Sequence, residues 1–237
     1  MPNQSVEVLA RAETRIGELV LQRRTPQADP EATFVELLVD GRMLMSGYNT
    51  VSERALARRG VDRCPGDGLR VLVGGLGLGH TARAALESPR VAAVDVIEFV
   101  PEVVAWFEED RIPLAPELRG DPRFALILDD VYARLAAPPA VRYDLILVDV
   151  DHAPDDPLAT ASETATFYTV DGLRRVARHL EPGGVLAVWS CAANPEFEAL
   201  LREVFATVAT ETTVFEDDLF GEPDETNWLF FASGPRS

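Results

Sequence analysis

The 237-residue chain is predicted to fold as an α/β protein: a parallel sheet covered by helices on both faces, with a small β-hairpin unit in front of it. Three observations predict this. From Leu69 onward, short and nearly continuous apolar runs alternate with helical stretches. A glycine-rich segment, Gly74-Gly75-Leu76-Gly77-Leu78-Gly79, falls where the first of those runs meets a helix. Before Gly60 the texture is different, with short runs and an Asp40-Gly41 pair between two of them.

The elements follow in order. Glu18 to Gln22 reads as a strand. Phe34 to Val39 and Arg42 to Ser46 flank Asp40-Gly41, a strong signal for a two-residue hairpin. Val51 to Arg59 reads as a helix, and Cys64-Pro65-Gly66-Asp67-Gly68 as a turn-rich boundary. This divides the chain into a small β unit, residues 1–60, and a larger α/β unit, residues 61–237. In the larger unit Leu69–Val73, Val91–Ile97, Phe124–Leu128, Leu145–Val148 and Val185–Trp189 are strands. Helices lie around Ala82–Leu86, Pro101–Phe107, Val131–Ala136 and Phe167–His179. Pro195–Val204 reads as a further helix, before two closing strands, Val208–Phe215 and Asn227–Ala232, joined by an acidic loop.

Charge limits the partners. Twenty-two basic residues, all of them Arg, stand against thirty-nine acidic ones, for a formal net charge of −17. Such a body repels phosphate backbones and anionic lipid surfaces, so neither nucleic acid nor membrane is expected as a partner. Small cationic molecules are more natural guests. The absence of Lys excludes lysine Schiff-base chemistry. Cys64 and Cys191 make neither a disulfide framework nor a metal knuckle and read as reduced thiols. No run reaches the roughly 18 apolar residues of a membrane helix, and Met1 to Ala10 lacks a signal-peptide core; the cytoplasm is the expected compartment.

The chemistry gathers at the carboxyl ends of the predicted strands, where open α/β sheets bind ligands. Gly75, Gly77 and Gly79 let the backbone turn tightly and approach a ligand beside a helix N-terminus. Glu98 ends the next strand, 21 residues after Gly77, at the spacing of a carboxylate that accepts hydrogen bonds from both ribose hydroxyls of a nucleoside. A G-x-G-x-x-G dinucleotide fingerprint starting at Gly75 would need glycine at position 80, where His80 stands, so a nicotinamide dinucleotide is the lesser alternative. Asp129-Asp130-Val131 follows the third strand. A carboxylate and a backbone amide there suit an adenine amino group and ring nitrogen, with one Asp expected to cap the helix and the other, Asp130, to bind. Asp149 follows Leu145 to Val148 directly and is the candidate for catalysis, with His152 beside it to take a proton near neutral pH. His80 is expected at most to touch the ligand. His179, at a helix end where a cation suits the dipole, reads as structural.

From about Leu69 to Ser233 the chain resembles the spermidine synthase family, aminopropyltransferases built on the methyltransferase-type fold. The resemblance rests on the glycine loop with Thr81 and Arg83, on Glu98-Phe99-Val100-Pro101-Glu102-Val103-Val104, and on Asp121-Pro122-Arg123-Phe124. It continues through Asp129-Asp130, Tyr143-Asp144-Leu145-Ile146-Leu147-Val148-Asp149, Phe167-Tyr168, Pro182-Gly183-Gly184-Val185 and Asn227-Trp228-Leu229-Phe230-Phe231-Ala232-Ser233. It implies a Rossmann-like seven-stranded sheet, a small N-terminal β domain matched by Val39-Asp40-Gly41, a homodimer, and S-adenosylmethionine or its decarboxylated form as the nucleoside.

The chain also departs from the family. Leu78 stands where the family's loop carries an Asp that pairs with the amine of decarboxylated S-adenosylmethionine. His152 replaces the second Asp of the catalytic loop. Leu44, Asn49-Thr50 and Ser52-Glu53-Arg54 stand in place of the glutamine, Asp-Glu and Tyr-His-Glu elements. Each lost charge-assisted partner is worth roughly 1.5–3 kcal/mol. Because Leu78 does not repel the carboxylate of intact S-adenosylmethionine, methyl transfer to a small amine or hydroxyl is the expected reaction. Aminopropyl transfer is the alternative, and a non-catalytic nucleoside-binding scaffold a second one. Asp149-x-Asp151-His152 is similar to the Asp-x-Asp segment of metal-dependent O-methyltransferases, but only Asn194 and Asp155-Asp156 are on hand to complete an oxygen-ligand set, and no metal is expected.

Overall fold

A computed structural model describes residues 4–26, 29–150, 166–221 and 223–236. The first four strands, β1 (Gln4–Thr14), β2 (Gly17–Pro26), β3 (Phe34–Val39) and β4 (Arg42–Ser46), form an antiparallel sheet in the order β1-β2-β3-β4. Asp40 and Gly41 both take positive φ, 47° and 76°, as the tight hairpin turn between β3 and β4 requires. Asp40 Oδ1 also accepts the Glu18 N–H at 2.9 Å, so the turn is tied to the adjacent strand. β1 has no counterpart in the sequence reading. Glu7, Arg11 and Glu13 interrupt it, and Val6 and Val8 are half exposed, so it lacks the buried apolar row that makes a strand legible.

The second sheet has seven strands in the order β10-β11-β9-β8-β5-β6-β7. Its parallel part is β9 (Leu180–Ser190), β8 (Tyr143–Val148), β5 (Leu69–Gly74), β6 (Val91–Glu98) and β7 (Phe124–Leu128). β11 (Glu225–Pro235) runs antiparallel to both β9 and the edge strand β10 (Phe205–Phe215). Alternate residues of each central strand face opposite layers. Val71, Val73, Leu145 and Leu147 pack in one core with α1 (Val51–Arg63), α2 (His80–Leu86), α3 (Pro101–Glu108) and α4 (Ala115–Gly120). Leu72, Ile146 and Val148 pack in the other with α5 (Val131–Ala136), α6 (Val170–Ala177) and α7 (Pro195–Val204). The seven-stranded Rossmann-like sheet with helices on both faces is thus present, together with the small N-terminal sheet.

Four details differ from the sequence reading. α4 was not anticipated, and β9 begins at Leu180 rather than Val185, taking the Pro182-Gly183-Gly184 turn into the strand across a register shift against β8. The helix expected over Phe167–His179 is regular from Val170 to Ala177. The boundary drawn at residue 60 falls inside α1, which lies on the large sheet so closely that a Cβ on Gly60 would sit 3.0 Å from Leu145 Cδ1. α1 thereby joins the small sheet to the large one, and Leu19, Leu21, Leu37 and Val39 share a continuous core with it. Among the described residues no helix is long and apolar enough to cross a membrane.

Candidate active site

The carboxyl ends of β5, β6 and β8 are stitched together by main-chain hydrogen bonds. Asp149 N–H donates to Gly74 O at 2.9 Å and Gly75 N–H to Ile97 O at 2.8 Å. Gly75 has φ 94°, and a Cβ there would overlap the Asp149 carbonyl oxygen, so only glycine lets the two strand ends close. Gly77 has φ 51°, and a Cβ on it would meet Met45 Sδ and Cε at 2.7 Å. Met45, from β4, lies over the loop, and its sulfur accepts the Leu78 N–H at 3.1 Å. Gly79 caps α2 in the left-handed conformation. All three glycines therefore stand in one turn, with the small sheet as its lid.

Glu98 is 7% exposed and accepts the Leu76 N–H on Oε2 at 3.0 Å and the Val100 N–H on Oε1 at 2.8 Å. Burial pushes its carboxyl up, and the backbone amides, those of Val100 and Leu76 foremost, oppose that. The carboxylate thus spans the β5–α2 and β6–α3 turns in a fixed orientation.

The division of labour expected for Asp129 and Asp130 is not found. Asp130, the residue assigned to adenine, is the N-cap of α5: its Oδ1 accepts from Tyr132 N at 2.8 Å and Ala133 N at 3.2 Å. Asp129 holds Arg134 (Nε to Oδ2, 3.0 Å) and the Asp130 N–H (2.9 Å). Both cap bonds fall on Oδ1, so Asp130 Oδ2 stands outside the cap. The Val131 side chain is buried beneath Gly74, so Val131 offers a ligand its main chain alone.

Asp149 is partly buried, and Thr81 donates its hydroxyl to Asp149 Oδ2. Burial raises its carboxyl above the ordinary Asp range, against the lowering by Thr81. A second carboxyl, overlooked in the sequence, stands near it. Glu53, in the first turn of α1, is 6% exposed, accepts from Ser52 Oγ at 2.9 Å, and is pushed up to about 8, chiefly by burial and then by the charge of Asp149. Polar burial at a helix start with no apolar reason was the one signal for it, and that signal needs the fold. Glu225, at the start of β11, adds to the same field and accepts from Asn49 Nδ2 at 2.6 Å.

The histidines divide differently. His80 is held neutral, its pKa lowered to about 4 by burial and then by Arg83 and Arg54. His179 is structural, but not as a cation on a helix dipole. Burial lowers its pKa, and Nε2 donates to Ala137 O at 3.0 Å. His152, with Asp151, Asp155 and Asp156, lies outside the described residues. Asn194 is the N-cap of α7, accepting from Phe197 N at 2.8 Å.

Tyr48 joins the small sheet to the β10–β11 connection beside the site. Its hydroxyl donates to the Asp217–Asp218 carboxylates (2.8 and 2.6 Å) and accepts the Asp218 and Leu219 N–H groups, both at 3.1 Å. Its ring packs against Phe34, Phe215 and Phe220.

A glycine-lined turn at the carboxyl ends of a parallel sheet, flanked by the carboxyls of Glu98, Asp149 and Glu53, is what this arrangement defines. No protein-family model matches the chain. Polyamine aminopropyltransferase 2 of Streptomyces coelicolor is 33% identical over 188 residues, 78% of this chain and 31% of that protein. The polyamine aminopropyltransferase of Prochlorococcus marinus is 32% identical over 180 residues, 70% of this chain and 57% of that protein. Putrescine N-methyltransferase 4 of Nicotiana tabacum is 32% identical over a shorter 117 residues, 49% of this chain and 28% of that protein. The chain spans less than two thirds of the length of these relatives. In fold, spermidine synthase from Thermotoga maritima superposes with a TM-score of 0.70 over 95% of this chain and 72% of its own, at 16% identity. Human methyltransferase-like protein 13, in complex with SAH, gives 0.56 over 77% of this chain and 82% of its own, at 20% identity.

The chain is a homologue of the polyamine aminopropyltransferases, with the spermidine synthase-like fold. The expectation of methyl transfer is overturned by these relatives, since the matches that extend over most of the chain are to aminopropyltransferases. The physical flaw lay in reading Leu78 alone. Its side chain is 1% exposed and packed in the core, so its apolar character is accounted for by packing and does not report on the donor's carboxylate.

Proposed function

We propose that the protein transfers an aminopropyl group from decarboxylated S-adenosylmethionine to a small amine. The observation that carries this reading is the pair of carboxyls Asp149 and Glu53, with no Arg paired to either among the described residues. An ionised Asp149 repels the carboxylate of intact S-adenosylmethionine, whereas an incoming ammonium group stabilises the ionised form of both carboxyls. The names of the relatives, polyamine aminopropyltransferase in both the Streptomyces and the Prochlorococcus protein, point the same way.

In this reading Gly75, Gly77 and Gly79 receive the donor's sulfonium end under Met45, Glu98 holds the ribose, and Asp130 Oδ2 with the Val131 amide meets the adenine. The acceptor nitrogen attacks the carbon attached to sulfur. A C–N bond forms, the C–S bond breaks with its electron pair left on sulfur as a neutral thioether, and the proton lost from nitrogen passes to Asp149, with His152 the proposed assistant. The sulfonium is already an activated leaving group, so positioning supplies most of the acceleration. Asp149 is suited to its part because Thr81 fixes one oxygen while burial raises its basicity.

A cytoplasmic homodimer without nucleic acid belongs to the same proposal. The half-exposed Val6 and Val8 of the outer strand β1 and the −17 net charge support it. The proposal keeps a small β unit to about residue 60 and a catalytic unit beyond, with α1 joining them. Calorimetric titration with S-adenosylmethionine and its decarboxylated form, followed by product analysis with a panel of amines, tests the reading. Tighter binding of the decarboxylated form and an aminopropylated product are expected. Preference for the intact form, or no product, would sink it.

A further inference from the structure

We propose that the connection between β10 and β11 is a strap that holds Met45 down over the glycine loop, with Tyr48 as its clasp and a positioning residue for donor entry. The coupling of strap to loop stands on contacts within the chain, while the access it governs rests on the nucleoside site of the proposed function.

The small sheet is held at its two ends by different forces. At one end Leu19, Leu21, Leu37 and Val39 continue the apolar core that contains Leu56 and Ala57 of α1. At the other end Phe34, Tyr48, Phe215 and Phe220 form a cluster of their own, outside both cores. The buried Arg24, paired with the fully buried Glu36 at 2.6 Å, lies 3.6 Å from the centre of the Phe220 ring. A satellite cluster fastened by polar contacts opens at lower cost than a continuous core, so the small sheet tilts about its α1 end.

The fastening centres on one oxygen. Tyr48 Oη lies 2.6 Å from Asp218 Oδ1 and accepts the Asp218 and Leu219 N–H groups at 3.1 Å. Asp217 Oδ1 ties the same turn from within, accepting the Leu219 and Phe220 N–H groups at 3.1 Å. The turn therefore keeps its shape without Tyr48, and what the hydroxyl adds is the bond to the small sheet. Asn49 Nδ2, donating to Glu225 Oε2 at 2.6 Å, fastens the far end of the connection.

Tyr48 is three positions from Met45, and the chain between them is pinned. Gly47 N–H donates to Val35 O at 2.8 Å, and Ser46 Oγ accepts the Tyr48 N–H at 3.2 Å. A displaced Tyr48 carries the end of β4 with it. Met45 in turn covers the loop, its sulfur on the Leu78 N–H and against Gly77 where a Cβ would stand. A donor whose sulfonium end lies under Met45 enters when Met45 lifts, and the strap sets how often that happens.

The test measures hydrogen exchange at the Leu78 amide, and the rates of 5′-methylthioadenosine binding by stopped flow. It uses the full chain as wild type, Tyr48→Phe, Met45→Ala and the double variant. Tyr48→Phe keeps the ring in its cluster and removes the hydroxyl alone, so a cooperative melt is expected. Losing one charge-assisted hydrogen bond should raise the open population, and with it Leu78 exchange, by about tenfold. Nucleoside association and dissociation should both quicken by about that factor, leaving Kd within about threefold. A merely structural loss would instead raise dissociation alone and weaken Kd. Met45→Ala should quicken both rates similarly, and adding Tyr48→Phe to it should change them little, because the clasp acts through Met45. Unchanged Leu78 exchange in Tyr48→Phe, or rate effects that simply multiply in the double variant, would overturn the assignment. A wild type that shows the expected rates but transfers no aminopropyl group supports the strap and overturns the proposed reaction alone. A wild type that binds no nucleoside overturns the access role together with the donor site.

Discussion

The main-chain carbonyl of Asp149 fills the space that a Cβ at Gly75 would need. The candidate proton acceptor and the glycine loop are therefore one unit, closed further by the 2.9 Å bond from Asp149 N–H to Gly74 O. Substituting Gly75 by Ala should force φ 94° on an L side chain and part the ends of β5 and β8. A destabilisation of about 1–3 kcal/mol is expected, with loss of donor binding. A urea midpoint equal to that of the wild type would show that the strand ends separate freely.

Glu98→Ala should weaken donor binding, but its effect reaches beyond the ligand. The Leu76 and Val100 amides lose their acceptor, and leaving them buried and unpaired costs about 1–3 kcal/mol in stability. Thermal melts and calorimetry with 5′-methylthioadenosine measure the two effects separately. Undiminished nucleoside affinity would take the ribose role from Glu98.

Asp149→Asn preserves the size of the side chain and the Thr81 contact while removing the proton acceptor. Turnover should drop by about 10²–10⁴-fold with donor affinity little changed. A rate close to that of the wild type would rule Asp149 out as the base.

Glu53 predicts an alkaline loss of stability. Its carboxyl titrates near 8 in the folded chain against an ordinary value of 4.5, so between those values the folded state holds a proton that the unfolded state has released. Stability is then fully present below about 4.5 and falls as pH rises towards 8. The neighbouring charges, Asp149 and Glu225, steepen the fall by repulsion. Melting temperatures across that window should decline for the wild type and decline less for Glu53→Gln. Parallel curves for the two proteins would contradict the burial of an ionisable Glu53 beside Asp149.

Much of the fold was legible because its cues are local. The Asp40-Gly41 turn, the apolar runs of β5 and β8 and the glycine loop each carry their meaning within a few residues. β1 was not legible because a half-exposed strand shows no apolar row, and α4 because six residues are too few to display a helical period. In the site, the strand-end position of Glu98 and Asp149 could be read from their place after apolar runs. That Asp130 rather than Asp129 caps α5 could not, since either carboxylate satisfies the same pattern.

What the sequence determined by itself was the α/β sheet, the glycine-lined turn and the row of carboxylates at the strand ends, all set by spacing along the chain. What only the tertiary structure decided was which carboxyls meet near the end of β8. Glu53 and Asp149 are 96 positions apart, and one-dimensional spacing says nothing about their meeting. They come together because α1 packs through Gly60 onto Leu145 and Leu147 of β8, which brings its first turn to the end of the strand that Asp149 follows. Packing across the sheet, rather than any motif, brings the second carboxyl towards the end of β8.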